Sequence, residues 1–512
     1  MKLRIISVLL MLALLIPIIT SCGDNGADTE STKTTESVTN SDSESSGKET
    51  SPIGDSTDTE PSVKVEDTLN MDFDYGGTDF NVLVASVPTR TPDDFKYSDD
   101  LGTVMDEAKF RRNQLMLDEY GVNIVSYTDL HANNQGYETI MKDHLAQENS
   151  YQLCVLCGYD AAELALQGCL FDFKDLPNVN TSNTWWDQAA ERDLSIAGSL
   201  FFTTGAISTV IDDYTYCVIY NKDLYKATAE DPQNIYQIVK DGKWTLDKLA
   251  ELSKYMKENA DGNDTMDSHD RYGLMIWDNE MIASINAAGH KIATVQEDGL
   301  VKLTIMNDTV NEVVSKFVTM GNSDYCINFQ HSTGGVQFYD IFTDNRAVFF
   351  MSMFNEVSRF RNMMTDYGIV PNPKLTEDAP YYAPTSPWHS AFLCVPMIIE
   401  NDDSISNVIE LLGYHSEKII TPAYYEKTLI GKYVRDDESV GMLDLIFKNR
   451  VYDVGHLYRI GTLQEHVTNL LRNNQPGGLS GMYETYSKVA NTDIRELNLS
   501  ITILKNRQEE SN

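Results

Sequence analysis

Between residues 79 and 168 the chain alternates short apolar runs with amphipathic ones, and few folds accept that order. "DFNVLVAS" (79–86), "VNIVSY" (122–127) and "YQLCVLCG" (151–158) have the length and apolar content of buried strands. The segments "DEAKFRRNQLMLDEYG" (106–121), "NQGYETIMKDHLAQENS" (134–150) and "DAAELALQG" (160–168) read as helices, with Gly121 and Gly168 as their stops. Strand, helix, strand, helix, strand at this spacing predicts a parallel α/β unit. A CxxC pair lies inside the third run. On a strand, residues i and i+3 face opposite sides, so Cys154 and Cys157 diverge and read as small buried hydrophobes, not a redox pair.

Beyond residue 168 the pattern loosens. "LFFTTGAIS", "YTYCVIYNKDLY", "RAVFFMSMF", "YGIVPNPK" and "SAFLCVPMII" are strand-like. "KWTLDKLAELSKYMKENA" predicts a helix capped by Thr245, "TVNEVVSKFVTMG" one ending at Gly321, and the tail from "SISNVIELLGYHSEKII" to "NNQPGG" is mostly helical. The chain has 512 residues, about 440 of which follow the polar segment described next. That is too many for one core, so two or more lobes are expected.

The N-terminus is of a different kind. Behind Lys2 and Arg4, Ile5 to Ile19 is apolar apart from Ser7 and Pro17. The run is too short for a good membrane span and matches a secretory signal peptide over 1–21. "ITSC" then resembles the bacterial lipobox, which implies lipidation of Cys22. Residues 23–70 hold twelve acids, three lysines and no aromatic residue. Nothing there offsets the entropy of ordering a backbone, so 22–70 is expected to be a disordered acidic tether on a membrane anchor. It accounts for nine of the 37 net negative charges, and the rest of the chain stays acidic. Nucleic acid is excluded as a partner by the lack of basic patches. Besides Cys22 there are six cysteines, too sparse for a disulfide-stapled framework, although an isolated disulfide stays open.

Taken in order, several segments resemble the extracellular solute-binding proteins of bacterial ABC importers, in the class that binds sugars and oligosaccharides. "YQLCVLCG" is similar to that family's "YDLV" segment, "CVIYNKDLY" to "YNKDL", and "DGKWTLDKLAELSKYM" to "G-x-WT-x-x-x-L". "FTDNRAVFFMSM" resembles "F-x-x-G-x-A-M" with Asn345-Arg346 in place of the glycine, and "YGIVPNPKL" resembles "GV-x-P-x-PK". "YVRDDESVGMLDLIFKNRVYDVG" is similar to the C-terminal segment of a clostridial subgroup. The resemblance covers residues 79 to 458. It implies a two-lobed periplasmic-binding-protein-like α/β fold with discontinuous lobes and a ligand cleft between them. Lobe one is expected at 79–216 plus 368–412, lobe two at 217–367, and a C-terminal helical region packed on both at 413–512. It also implies a monomer that hands its ligand to ABC permease subunits, with no catalysis, cofactor or metal. The alternatives are a solute-binding protein for a peptide or other small polar solute, and a surface-anchored carbohydrate-active enzyme.

Sugars offer C–H faces to aromatic rings and hydroxyls to polar side chains, so aromatics beside polar residues in loops at strand ends are the candidates. "NTWWDQAA" supplies Trp185, Trp186 and Asp187, and "TSPWHSAF" supplies Trp388. "GLMIWDNEM" supplies Trp277 beside Asp278 and Asn279. "FTTGAISTVIDD" supplies Gly205 and Asp212 or Asp213, and "MFNEVSRF" supplies Asn355 and Glu356. His389 reads as an ordinary loop or core histidine, and Trp244 as an anchor for its helix. "DGNDTMDSHD" (261–270) begins like a calcium loop, but Thr265 and Met266 break the pattern and leave a solvated acidic turn.

Overall fold

The computed structural model describes residues 69–85, 93–128, 135–229, 232–329, 338–399, 402–425 and 434–511. The expected signal peptide, Cys22 and nearly all of the expected tether lie outside the described residues. All that is described belongs to one compact unit. Leu69 already packs against its core, so the body begins slightly before the expected end of the tether at 70. No described helix is long and apolar enough to cross a membrane.

Fourteen strands are described. In chain order they are β1 (Thr78–Ala85), β2 (Val122–Thr128), β3 (Leu153–Cys157), β4 (Tyr216–Asn221), β5 (Lys257–Glu258), β6 (Arg271–Ile276), β7 (Ala293–Val295) and β8 (Val301–Leu303). There follow β9 (Cys326–Asn328), β10 (Ala347–Met353), β11 (Tyr367–Val370), β12 (Ala383–Pro384), β13 (Ala391–Cys394) and β14 (Arg450–Val451). One sheet runs β13-β3-β1-β2, with β1 to β3 parallel and β13 antiparallel at its edge. The second runs β11-β4-β10-β6-β5, with β9 also pairing with β6. The chain thus enters the second sheet at β4 and returns to the first at β13. This is a two-lobed α/β fold with lobes discontinuous in sequence. The expected boundary between 367 and 368 falls inside β11, all four residues of which pair with β4.

Local chemistry explains the elements. Helix Val104–Tyr120 starts where Thr103 accepts a hydrogen bond from Asp106 N and stops at Gly121, whose φ of 64° is open to glycine. Helix Leu246–Ser253 is capped by Thr245. Both β3 and β10 are buried on both faces, which is why they read as unbroken apolar runs. "LFFTTGAIS" is not a strand. It makes only single bridges, Thr203 to Leu393 and Gly205 to Trp186. The six described cysteines are free and buried. A helix of 33 residues, Leu479–Ser511, ends the described chain. Its Asn498 bonds both backbone groups of Val301, and its Lys505 reaches the Ala197 carbonyl at 3.1 Å.

Candidate functional site

The parallel strands β6 and β10 point their C-terminal ends the same way, and antiparallel β4 starts beside them at Tyr216. In the other sheet, β3 ends at Cys157 and β13 begins at Ala391 on the same side. A cavity of about 470 Å³ lies where these ends meet, lined by residues of both lobes and by helix Leu463–Arg472. Ligand crevices outside the carboxyl ends of strands are the general rule for open α/β sheets.

Lobe one contributes Tyr159 and Trp388. Gly158 N donates to Pro387 O at 2.9 Å, which ties the end of β3 to the loop before β13. A Cβ on Gly158 would lie 2.5 Å from a Leu457 methyl and 2.8 Å from that carbonyl, so only glycine permits the approach. The rings of Tyr159 and Trp388 then stand 5.9 Å apart, tilted by 56°. Tyr159 OH pairs with Nε2 of buried His456 at 3.0 Å, and burial pushes that imidazole down to about 4. Lobe two contributes Trp277, which follows β6, and Tyr339. Trp277 packs edge-on against Phe338 at 5.0 Å and keeps part of its surface open. Tyr159, Trp277, Tyr339 and Trp388 are all half-buried, as a ring must be to hold itself with one part and a ligand with another.

The polar lining is unevenly partnered. Glu356 is held by Arg359 at 2.7 Å, and Arg472 pairs with Asp278. Arg459 sits over the Tyr159 ring at 5.2 Å. In contrast, both carboxyl oxygens of Glu280, Ser352 Oγ and Gln464 Oε1 are buried with no hydrogen-bond partner. Burial holds the Glu280 carboxyl well above the ordinary range; the nearby Asn372 amide works the other way without closing a hydrogen bond. Such groups are costly to leave unsatisfied, and a polar ligand would satisfy them.

Of the residues singled out in the sequence, Trp277, Glu356 and Trp388 line the cavity together with Asn279 and His389. His389 stacks on Tyr214 at 5.2 Å and meets Ser386 Oγ at 2.9 Å. The others lie elsewhere. Trp185 is 2% exposed and packs edge-on to Tyr414, while Trp186 donates to Glu410 at 3.0 Å. Asp187 caps helix Gln188–Leu194 and accepts from Arg450 and Tyr452. A Cβ on Gly205 would stand 2.2 Å from the Trp185 carbonyl, so this glycine serves packing. Asp212 is paired with Arg450, and burial raises its pKa while the arginine opposes that. Asn355 does not line the cavity. In the loop 261–270, Asp261 and Asp267 accept hydrogen bonds from Asn263 and His269 and so hold the turn.

Tyr159, Glu280, Tyr339, Ser352 and the helix Leu463–Arg472 were not picked out in the sequence. Tyr159 could have been, since it stands two residues past the end of a parallel strand. Glu280 lies three residues past Trp277 in "WDNE". The helix has no local signal, because only the tertiary fold brings it to the strand ends.

No family model matches the chain, and no curated protein matches it by sequence. Solved structures do. The chain is similar to the cyclic α-maltosyl-1,6-maltose binding protein from Arthrobacter globiformis at 11% identity, with a TM-score of 0.54, covering 83% of this chain and 99% of that one. It is similar to an ABC substrate-binding protein from Listeria monocytogenes in complex with cycloalternan at 13% identity, with a TM-score of 0.52 and coverage of 83% and 99%. A third is UgpB from Mycobacterium tuberculosis in complex with glycerophosphocholine, at 13% identity, a TM-score of 0.51 and coverage of 84% and 98%. The likeness is one of fold: two α/β lobes with the chain crossing between them.

Proposed function

We propose that this chain is a solute-binding protein that captures a saccharide in the cavity between its lobes and delivers it to an ABC permease. The observation that carries the reading is the pairing of half-buried rings from both lobes, Tyr159 and Trp388 against Trp277 and Tyr339, around buried polar atoms without partners. A sugar meets both demands at once, since its C–H faces stack on rings and its hydroxyls both donate and accept. The solved structures of like fold bound to cycloalternan and named for a cyclic maltosyl sugar agree with it. The one with glycerophosphocholine keeps a non-sugar polar solute as the second reading. Binding is favoured over catalysis, because the solved structures of like fold are described as substrate-binding and binding proteins. Lipidated Cys22 and the acidic tether would hold a monomer at the outer face of the cell membrane.

The test is a thermal shift over a panel of glycans, peptides and small polar solutes. A ligand that binds only the native state raises the melting temperature, by about 2.7 kcal/mol of added stability at a hundred times its Kd. A panel in which no saccharide shifts the melt defeats the sugar assignment. For the anchor, Cys22→Ser should move the protein out of the membrane fraction, and unchanged retention and mass would refute lipidation.

A further inference from the structure

The floor of the cavity carries an acid and no cation. Glu280 is 0% exposed in the first turn of helix Glu280–Ala287, and neither of its oxygens closes a hydrogen bond; its nearest polar neighbour is the neutral Asn372 amide. Ser352 opposes Cys217 across β10 and β4, and Tyr216, Glu280 and Ser352 all line the cavity. The serine hydroxyl, also unpartnered, therefore belongs to the same floor. The other charged or titratable groups of the wall are engaged elsewhere. Glu356 is held by Arg359, His456 by Tyr159, His389 by Ser386, and Arg472 by Asp278, while Arg459 lies over Tyr159. Glu465 is exposed at the rim. Among the described residues no lysine or arginine pairs with Glu280.

An unpaired buried carboxylate is strongly disfavoured, so the floor holds a neutral acid. An incoming ammonium changes that balance. It has three N–H donors, and Glu280 and Ser352, both lining the cavity, offer acceptor oxygens that no other group takes up. The surrounding ring faces attract a cation further, and a chain of net charge −37 draws cations toward it.

We propose that the ligand is a saccharide carrying a protonated amine, and that Glu280 selects it by taking the ammonium in a buried charge pair on the cavity floor. This rests on the saccharide reading and narrows it. As the ammonium seats, the Glu280 carboxyl proton passes to solvent, so binding releases a proton.

The experiment is calorimetry with hexosamines and chitosan oligosaccharides against their 2-hydroxyl counterparts, glucose, galactose and cello-oligosaccharides, with putrescine as a plain amine. It is run at mildly acidic pH in two buffers of different ionisation enthalpy. The amino sugars are expected to bind about thirtyfold tighter than the hydroxyl forms, with a proton released, as for a desolvated charge pair. Glu280→Gln, isosteric, should erase both the preference and the proton release. The proton count on the unaltered protein stands even if that variant folds poorly. Hydroxyl sugars binding as tightly as amino sugars, no amino sugar binding, or a preference surviving in Glu280→Gln overturns the inference and leaves a neutral-sugar reading intact. Tight putrescine binding without amino-sugar binding overturns both this inference and the saccharide reading.

Discussion

At Trp388 a ring leans on Tyr159 with part of its surface left over a cavity, whereas at Trp185 the ring is enclosed by Tyr414 and by a glycine, Gly413, whose Cβ would stand 2.3 Å from it. Truncating the two should therefore separate binding from folding. Trp388→Ala is expected to lower sugar affinity by roughly thirtyfold, the equivalent of about 2 kcal/mol for an interfacial aromatic, on a protein that melts nearly as before. Trp185→Ala is expected to lose about 3–5 kcal/mol of stability, the usual loss for a buried tryptophan. Calorimetric titration and denaturant melts on both variants check this. A stable Trp388→Ala that binds like the parent would remove Trp388 from the site. In the sequence these two residues look alike, since each stands in a polar loop beside a strand or helix start. What distinguishes them is the helix Asp402–Pro422 folded over Trp185, more than 200 residues away in the chain, and composition around a residue does not report that.

Elements with a local cause were legible: the stop at Gly121, the cap at Thr245, and strands whose both faces are buried. Elements made by partners were not. "LFFTTGAIS" has strand composition but meets its neighbours at single bridges, and the wall helix Leu463–Arg472 is drawn to the cavity only by the fold around it. Contacts between elements also set a pH dependence. His415, on helix Asp402–Pro422, is 8% exposed and meets Tyr120 of helix Val104–Tyr120 at 3.0 Å. Burial first, and Lys418 second, push its pKa down to about 4. The native imidazole stays neutral while the unfolded one charges below its ordinary value of about 6.5. The unfolded state then binds more protons, so stability falls as pH drops from about 6.5 and the loss is complete below about 4. Over that window His415 accounts for about 3 kcal/mol. His415→Phe should flatten that part of the profile measured by denaturant melts. A profile as steep as the parent's would show that His415 titrates normally in the native state.

At the scale of the molecule, the lobes cannot be separated by one cut. A fragment of residues 69–215 contains β1 to β3 and most of lobe one, but lacks β13 and the helix Asp402–Pro422. Phe392, Leu393, Ile405, Val408, Ile409 and Leu412 in those two elements are each exposed by 1% or less. At roughly 1.5–3 kcal/mol for each buried side chain, the six contribute on the order of 9–18 kcal/mol. That is as large as the whole stability of a typical domain, about 5–15 kcal/mol. The fragment would also lose specific partners. Arg112, fully buried, donates to Ser416 Oγ at 3.1 Å, and Trp186 donates to Glu410. Deprived of these, a buried guanidinium and an indole N–H would have to find water, and the core would open to supply it. The fragment alone is therefore expected to show no cooperative melt by circular dichroism. A chain joining residues 69–215 to 385–425 restores the missing strand and helix and should melt cooperatively. If 69–215 melts cooperatively without them, β13 and its helix are decoration on a lobe that is complete in itself. If the joined chain fails, lobe one depends on the second sheet as well, and the crossings at β4 and β13 are structural supports as much as hinges.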